Sequence, residues 1–325
     1  MSKYLVTGAA GFIASRVCEA LLDEGHQVVG VDNLNDAYDP RIKEYRLNLL
    51  LEREGFCFRK ADISDRQQVD SLEEDVQRAS AVINLAARAG VRSSVEDPWL
   101  YYATNLTGTL NLFELCRRTG IQKFLLASTS SVYGENAPIP TPESADSDRP
   151  LQPYAASKKA AEILAYSYHY LHGLDVSVVR YFTVYGPAGR PDMVMFRFCQ
   201  WVAEGRTVYI NGDGTQSRGF THVDDIARGT ILALQPVGYE VFNLGGHEQM
   251  TINELLALME RLIGKKAQIV RLPRHPADML TNYADVTKAR QMLGWEPKVG
   301  LHEGVSSLVD WYMDNRELAS QVLTP

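Results

Sequence analysis

The sequence predicts an α/β fold in which a doubly wound parallel sheet is followed by a smaller lobe of mixed α/β structure. Short apolar runs alternate with amphipathic helical stretches through residues 1–182, as parallel strands joined by helices do. A glycine-rich turn joins the first run to its helix, and beyond residue 182 the rhythm loosens into mixed elements and arginine-bearing loops. The 325 residues provide enough chain for both parts.

The composition is that of an ordinary globular protein, and it limits the classes of partner. Hydrophobic residues make up 45% and charged residues 22% of the chain, and the formal net charge is −7. An acidic balance argues against nucleic acid or an anionic membrane as a partner. An anionic ligand would therefore need a local cluster of arginines.

The spacing of the cysteines and the first residues of the chain predict the cellular compartment. Cys18, Cys57, Cys116 and Cys199 are widely spaced and form no C-x-x-C pair, so we expect no metal site and a reducing environment. A strand pattern begins within three residues of Met1, which leaves no room for a signal peptide. No apolar run approaches the roughly 20 residues needed to span a bilayer. We therefore expect a cytoplasmic protein.

The first elements form a βαβ unit. The order is strand, glycine loop, helix, strand and acid: Lys3–Thr7, Gly8–Ala14, Ser15–Glu24, Gln27–Val31 and Asp32. The loop reads G-x-x-G-x-x-A, and its glycines let the backbone approach a pyrophosphate at the helix N-terminus. The unit therefore predicts a Rossmann-type dinucleotide-binding domain. A purely structural glycine turn is the alternative.

Asp32 predicts the identity of the dinucleotide. It follows Gly8 by 24 positions (32 − 8), the spacing of an acid that accepts hydrogen bonds from the adenosine ribose. A carboxylate there would repel a 2′-phosphate. NAD is therefore favoured over NADP.

The next strands carry further candidates for cofactor contact. Phe56–Arg59 leads to Asp62, which either meets the adenine or caps the next turn. The strand Ala81–Leu85 opens into Ala86–Gly90, whose small side chains permit close approach to a cofactor. The predicted helix 98–118 carries Asn105, whose amide either holds loops together, contacts a water near the site, or only packs.

The fifth strand and the following helix carry the candidate chemistry. Lys123–Ala127 delivers the run Ser128–Ser131 to the strand's carboxyl end, where ligands bind in such sheets. Tyr154 and Lys158 lie four apart on a helix that continues to residue 172, so the ammonium can stabilise a phenolate. Alone, Y-x-x-x-K is a weak pattern. Beside a nicotinamide it predicts a tyrosine base, with an upstream hydroxyl sharing the substrate proton.

The remaining elements complete the predicted sheet and form the second lobe. The strand Asp175–Arg180 and a returning helix and strand near residues 220–246 belong to the first domain. We expect the second lobe to comprise residues 183–219 and 247–325. Its loops carry arginines that suit a nucleotide-linked anion: Arg190, Arg218, Arg271 and Arg274. A solvated surface charge is the alternative for each of them.

Taken together, the motifs resemble extended short-chain dehydrogenases/reductases of the nucleotide-sugar epimerase/dehydratase type over essentially the whole chain. The motifs that carry the resemblance are Gly8-x-x-Gly11-x-x-Ala14, Asp32, Asp62, Leu85-Ala86-Ala87, Ser128-Thr129-Ser130, Tyr154-x-x-x-Lys158 and Tyr181-Phe182-x-Val184-Tyr185-Gly186-Pro187. The interval of 25 residues (154 − 129) matches the family's hydroxyl-to-tyrosine spacing. The likeness is greatest to UDP-glucuronate 4-epimerases, through the signatures 32–40, 89–94 and 182–193.

The resemblance implies roles for individual residues. Thr129, Tyr154 and Lys158 would be catalytic. NAD would contact Gly8, Gly11, Phe12, Ile13, Asp32, Asn33, Asp62, Ile63, Leu85, Ala86, Ala87, Tyr154, Lys158 and Tyr181. The UDP-sugar substrate would contact Arg88, Ser130, Ser131, Thr183, Arg190, Arg218, Arg274 and Asp278. Arg190 could bind either the pyrophosphate or the sugar. Relatives often form homodimers by pairing two long helices from each subunit, which would be 98–118 and 154–172 here; ordinary core packing is the alternative for their apolar faces.

The hydroxyl run narrows the expected reaction. The family's 4,6-dehydratases and UDP-glucuronate decarboxylases carry an acid beside the active-site hydroxyl, where this chain has Thr129-Ser130-Ser131. The resemblance therefore implies a UDP-glucuronate 4-epimerase. A 4-epimerase of a neutral UDP-sugar and a non-catalytic NAD-binding regulator are the alternatives. The chain departs from the family's usual residues at Ala14, Asn84, Gly219 and His275.

Overall fold

The structure is a computed structural model that describes residues 1–246, 248–273 and 281–325. The strands are β1 (Lys3–Thr7), β2 (Gln27–Asp32), β3 (Phe56–Lys60), β4 (Ala81–Asn84), β5 (Lys123–Thr129), β6 (Asp175–Tyr181), β7 (Thr183–Tyr185), β8 (Thr207–Asn211), β9 (Ser217–His222), β10 (Tyr239–Leu244), β11 (Glu248–Thr251), β12 (Gln268–Leu272) and β13 (Thr281–Asn282). The helices are α1 (Phe12–Asp23), α2 (Pro40–Leu51), α3 (Arg66–Asp70), α4 (Ser93–Glu96), α5 (Pro98–Tyr102), α6 (Gly108–Thr119), α7 (Pro153–His172), α8 (Val194–Ala203), α9 (Val223–Leu232), α10 (Ile252–Ile263), α11 (Thr287–Leu293), α12 (Leu301–Asp314) and α13 (Arg316–Ala319).

Seven parallel strands form the central sheet, in the order β10-β6-β5-β4-β1-β2-β3. The chain reverses direction across the sheet between β1 and β4, so the strand ends there open a crevice in which ligands of such sheets bind. The predicted Rossmann-type α/β fold is confirmed. The strand β10, far along the chain, pairs outside β6 as the seventh strand.

Helices cover both faces of this sheet because its strands are apolar on both sides. Phe113 of α6 and Phe124 of β5 pack in one layer, at a ring-centroid distance of 4.4 Å. Trp295 lies fully buried in the opposite layer, and its indole N–H donates to the Asp225 carbonyl at 2.8 Å. The two layers fix the sheet, and with it the positions of the strand ends.

A third apolar core lies in the second lobe, between α8, α10, α12 and β9. The strand β9 pairs with β7, β11 and β13, and β8 pairs with β12. Thr251 caps α10 and Glu254 completes the capping box, as predicted. The sequence pattern missed β7, β9 and β11–β13 because they are two to six residues long and lack a regular alternation. Arg271, predicted in a loop, lies in β12.

The predicted helix 98–118 is not a single α-helix. A π-helical turn, Ala103–Thr107, separates α5 from α6 and contains Asn105. Turns of this kind widen the helix and often occur at functional sites. No helix in the part of the chain that the structure describes is long and apolar enough to cross a membrane.

Candidate active site

Strand β5 ends at Thr129, which places its side chain at the carboxyl edge of the sheet. The buried Thr129 hydroxyl donates to Ser131 Oγ at 3.3 Å and accepts from the Ser131 backbone N–H at 3.2 Å. Ser128, one residue earlier, points back into the protein and donates to Glu162. The alternation of the strand thus divides the hydroxyl run into a residue that faces the site and one that anchors the strand.

Tyr154 lies in the first turn of α7, where Pro153 begins the helix. Its ring meets Tyr101 edge to face, with centroids 6.1 Å apart. Burial raises the pKa of the Tyr154 phenol, while hydrogen bonding with Thr129 and the charge of Arg190 oppose the rise. The predicted pair of Thr129 and Tyr154 therefore lies together. Stabilisation of the phenolate by Lys158 stays a prediction, since the cation that acts on the phenol here is Arg190.

Asn105 holds the loop after β4 against the helix of Tyr154. Its amide accepts from the Arg88 N–H at 2.9 Å and donates to the Arg88 carbonyl at 3.0 Å. It also donates to Ser157 Oγ at 2.9 Å, and Ser157 in turn donates to the Tyr154 carbonyl at 2.7 Å. Of the three alternatives for Asn105, the structure therefore supports the one in which its amide holds the active-site loops together.

Lys158 lies one turn beyond Tyr154 and is only 2% exposed. Burial lowers the pKa of its ammonium to about 8, and the charge of Glu162 opposes the change. Among the residues that the structure describes, none accepts a hydrogen bond from Nζ. A buried cation with unused donors is what a ribose hydroxyl of a dinucleotide would satisfy.

We expect Lys158→Met to stabilise the protein at pH 7. The pKa of Lys158 in the folded protein, about 8, lies below the ordinary 10.5. Below pH 8 the charged lysine therefore destabilises the folded state. That cost is on the order of 3 kcal/mol and fades as the pH rises from 8 to 10.5. Urea unfolding at pH 7 and at pH 10 measures it. If the gain in stability of Lys158→Met were as large at pH 10 as at pH 7, a lowered pKa of Lys158 would be contradicted. Lys159→Met, on the same helix, is the control.

The glycine loop, β2 and the segment after β4 form a cradle. Gly8 has a φ of +71°, and a Cβ atom there would lie 2.9 Å from the backbone of Ala86. Asp32 accepts from the Ala10 N–H at 3.1 Å and the Leu34 N–H at 2.8 Å, one bond to each oxygen. Each oxygen keeps a lone pair for a ribose hydroxyl. The cradle therefore fits an NAD pyrophosphate and adenosine ribose.

Asp62 orders the part of the cradle that follows β3, where an adenine contact is predicted. Its carboxylate accepts from Asn33 Nδ2 at 2.8 Å and from Ser64, through the backbone N–H at 2.8 Å and the hydroxyl at 2.6 Å. Burial would raise the pKa of Asp62, but these bonds hold it below its usual value. Ile63 is buried, and its carbonyl accepts from Asn111 at 2.8 Å. The structure thus shows Asp62 as a cap for Ser64, and its contact with the adenine stays a prediction.

Replacing Asp32 by alanine should weaken NAD binding more than NADP binding. The change removes a charged acceptor worth about 1.5–3 kcal/mol per hydrogen bond, and it also removes the repulsion of a 2′-phosphate. Titration calorimetry with both cofactors should show that the affinity for NAD falls about tenfold or more. The ratio of NAD affinity to NADP affinity should fall as well. The exposed Asp36 of the same loop supplies the control, Asp36→Ala. An unchanged ratio in Asp32→Ala would show that Asp32 does not select the cofactor.

A cluster of cations surrounds the cradle despite the chain's net negative charge. Burial lowers the pKa of Lys43, as do the nearby charges of Arg88, Arg46 and Arg190, while Asp32 opposes them. Sequence reasoning missed Lys43 and Arg46, because a spacing of three between cations is common on solvated helix faces and their partners lie outside α2. The local arginine cluster that an anionic ligand needs is therefore present.

Arg46 joins the glycine loop to the second lobe. It is 2% exposed, and its five N–H groups donate to backbone carbonyls of Ala10, Ala188 and Gly189 and to the Tyr38 hydroxyl, at 2.6–3.2 Å. Five donors is the full capacity of a guanidinium. The loop that carries Arg190 is thereby fixed beside the cofactor cradle.

The other predicted site residues lie in several places. Phe12 is buried under the Arg46 guanidinium, and Gly11 caps α1. The Tyr181 side chain lies in the core and hydrogen bonds to Thr230 at 2.8 Å, which leaves only its main chain to face a cofactor. The remaining residues lie half-buried along the crevice or on the lobe strands: Ile13, Leu85, Ala87, Thr183 and Arg218. Arg274, His275 and Asp278 lie outside the described residues.

Arg190 forms an ion pair with Asp192 near Tyr154. Its guanidinium donates to Asp192, from Nε at 3.0 Å and from Nη2 at 2.5 Å, and it stacks on Tyr38. Burial lowers the pKa of Arg190, but Asp192 outweighs burial and raises it. Among the described residues no group of His, Cys, Asp and Glu side chains forms a metal site.

Comparisons with known proteins agree with this geometry. The NAD dependent epimerase/dehydratase family matches residues 4–245. The UDP-glucuronate 4-epimerase of Thermodesulfobacterium geofontis is 54% identical over 323 residues, covering 99% of this chain and 99% of that protein. The UDP-glucuronic acid 4-epimerase of Bacillus cereus, solved with UDP-glucuronic acid and NAD, has a TM-score of 0.90 at 36% identity, covering 96% of this chain and 99% of that one. The UDP-glucose 4-epimerase of Thermotoga maritima, solved with UDP-glucose, has a TM-score of 0.89 at 34% identity. The match covers 97% of this chain and 99% of that one.

Proposed function

The chain belongs to the NAD-dependent epimerase/dehydratase family, and from that premise we propose that it interconverts UDP-glucuronate and UDP-galacturonate. It is an NAD-dependent isomerase. The observation that carries the proposal is the pairing of Thr129 with Tyr154 at the carboxyl end of β5, in a hydroxyl run without a carboxyl side chain. That pairing supplies proton transfer at one carbon.

Proton transfer is the task of Thr129 and Tyr154. The Tyr154 phenolate accepts the proton of the sugar's C4 hydroxyl, directly or through the Thr129 hydroxyl, and returns it at the end of the turnover. Lys158 and Arg190 favour the phenolate by their charge. NAD bound in the cradle would supply an acceptor and then a donor of hydride at C4, so that the sugar would pass through a 4-keto state. The residues proposed to hold NAD are those of the cradle, from Gly8 and Asp32 to Asp62 and Lys158.

A uronic acid imposes a second task on the site. A 4-keto uronate is a β-keto acid. It loses carbon dioxide when the bond between C5 and the carboxylate carbon aligns with the π system of the C4 ketone. The enzyme must therefore hold the carboxylate out of that alignment. We propose that Ser130, Ser131, Thr183 and Arg190 do so, since hydroxyls and a guanidinium donate to carboxylates.

The proposed reaction is tested by following the products from UDP-glucuronate by NMR. UDP-galacturonate should accumulate until both epimers coexist. A dominant UDP-pentose, or no turnover, would overturn the proposal. UDP-glucose, assayed in parallel, tests the neutral-sugar alternative, and any NADH absorbance during turnover excludes a non-catalytic regulator. If Arg190 holds the carboxylate, Arg190→Ala should lower turnover of UDP-glucuronate more than turnover of UDP-glucose, because the loss of its charge beside Tyr154 affects both substrates.

We propose that the protein is a homodimer joined through α5, α6 and α7. These helices pack side by side, and their outer surface carries large exposed apolar side chains. On α7 the positions are Ile163, Tyr166 and Tyr170, a stripe with helical spacing, and Trp99 on α5 is 83% exposed. Several large apolar side chains exposed on neighbouring helices suit an interaction site, and a second copy supplies the same face.

The Trp99→Glu/Ile163→Glu double variant should be monomeric. Two carboxylates buried at a helix interface without partners would cost several kcal/mol. Sedimentation equilibrium should give about twice 36.3 kDa for the unaltered protein and 36.3 kDa for the variant. Leu323→Glu is the control, since Leu323 is 72% exposed at the other end of the chain. A monomeric unaltered protein would refute the dimer.

Two further proposals concern domain roles and location. We propose that residues 1–182, with the returns near 220–246, bind NAD, and that 183–219 and 247–325 bind the nucleotide sugar. The continuous cradle in the first part and the fixed Arg190 loop in the second support this division. We also propose a cytoplasmic location, which the four free cysteines support.

A further inference from the structure

Strand β13 brings Asn282 to the hydroxyl run. Asn282 lies opposite Arg218 in the parallel pairing of β13 with β9, and its side-chain amide donates to Ser130 Oγ at 3.0 Å. The two residues line one small cavity with Tyr133 and Gly134. A residue from the far end of the chain therefore contacts the residue that follows Thr129.

The contact determines what the Ser130 hydroxyl can do. Ser130 is buried, and its oxygen accepts from Asn282. Within residues 1–246, 248–273 and 281–325 the structure gives the Ser130 O–H no acceptor. A hydroxyl has one hydrogen to donate, and an amide N–H at its oxygen directs that hydrogen elsewhere. Ser130 is thus held as a donor that lacks its acceptor, which is costly when buried.

Gly219 permits this approach. A Cβ atom at position 219 would lie 2.8 Å from Tyr283 Cδ2 and 3.4 Å from the Asn282 carbonyl oxygen. An aspartate, the residue the family usually carries there, would collide with the Tyr283 ring. The departure at Gly219 therefore has a local reason, because it lets β13 lie close against β9 with Asn282 directed at Ser130.

We propose that Asn282 is a positioning residue that holds Ser130 as a hydrogen-bond donor to the carboxylate of the substrate. This inference rests on the proposed UDP-glucuronate 4-epimerase function and deepens it. A carboxylate can only accept hydrogen bonds, whereas the hydroxymethyl group of a neutral sugar both donates and accepts. A site hydroxyl fixed as a donor therefore favours the acid and restrains it during the 4-keto state.

Two variants of Asn282 test the proposal in the full-length protein with bound NAD. Asn282→Ala frees the Ser130 hydroxyl to rotate, and the nearly isosteric Asn282→Asp replaces the donor by an acceptor that captures the Ser130 hydrogen. We expect kcat/KM for UDP-glucuronate to fall about tenfold in the first and further in the second. The fraction of UDP-pentose among the products should rise, and the Kd of UDP should change less than twofold.

Ser130→Ala and the double variant Ser130→Ala/Asn282→Ala distinguish positioning from structure. If Asn282 acts through Ser130, the double variant should be no worse than Ser130→Ala alone. Ser217→Ala, which removes the 3.4 Å contact of β9 with Thr281 but leaves Ser130 untouched, is the control. Additive losses, or an unchanged UDP-pentose fraction in both Asn282 variants, would overturn the proposal. Unaltered protein that does not epimerise UDP-glucuronate would instead refute the function on which it rests.

Discussion

Tyr154→Phe should lower kcat for UDP-glucuronate by a factor of about 10²–10⁴, because general acid–base catalysis contributes that much and no other phenol faces Thr129 among the described residues. The ring and its edge contact with Tyr101 remain. Since only one hydroxyl is lost, we expect the free energy of unfolding to change by about 1 kcal/mol or less.

Three measurements make this prediction specific. Steady-state kinetics by NMR gives kcat, cofactor release by heat gives the NAD content, and urea unfolding gives the stability. The NAD content should stay near that of the unaltered protein. The control is Tyr168→Phe, which should retain activity. Tyr168 lies on α7 like Tyr154, but its phenol donates to Glu114 of α6 at 2.6 Å. Activity retained in Tyr154→Phe would identify another group as the base.

Glu162→Ala should destabilise the protein by about 3–5 kcal/mol, because it leaves a buried cation without its partner. Glu162 and Arg180 have side chains only 3% and 4% exposed, and they form two hydrogen bonds at 2.9 and 2.7 Å. Glu162 also accepts from Ser128 of β5. The pair therefore ties α7, which carries Tyr154, to the two strands beneath it.

Two further variants isolate the charge effect. Glu162→Ala/Arg180→Met should recover much of the loss, since neither charge is then left unpaired. Glu296 forms an exposed ion pair with Arg290, with side chains 56% and 61% exposed respectively. Glu296→Ala should therefore lower the free energy of unfolding by less than about 1 kcal/mol. Urea unfolding at pH 7.5 measures all three. A loss below about 1 kcal/mol in Glu162→Ala would show that the buried pair does not hold α7 in place.

The first half of the fold could be predicted from the sequence because its signals are local. The alternation of apolar strands and helices, the glycine turn and Asp32 each lie within a short stretch of chain. The central sheet confirms the alternation, and Asp32 ends β2 as expected. The start of α7 at Pro153 follows from a similar local signal, whereas β5 was predicted to end at Ala127 and extends two residues further, to Thr129. Strand ends then fall at one edge because the strands are parallel.

The parts that escaped prediction depend on contacts between distant residues. Arg46 reads as one more charge on a helix, yet its donors meet carbonyls 142 and 143 positions away. Asn282 meets Ser130 across 152 positions, in a strand of two residues. The π-helical turn at Asn105 arises where its amide bridges Arg88 and Ser157. No window of the sequence contains both partners of such contacts.

We propose that the site oxidises and re-reduces C4 and leaves C5 untouched. The most direct test is to convert UDP-glucuronate in D₂O and to observe the product by NMR. We predict UDP-galacturonate that retains hydrogen at both C4 and C5, since the C4 hydrogen never meets solvent and no carboxyl side chain stands in the hydroxyl run to exchange the C5 hydrogen. Deuterium at C4 or at C5 would contradict this account.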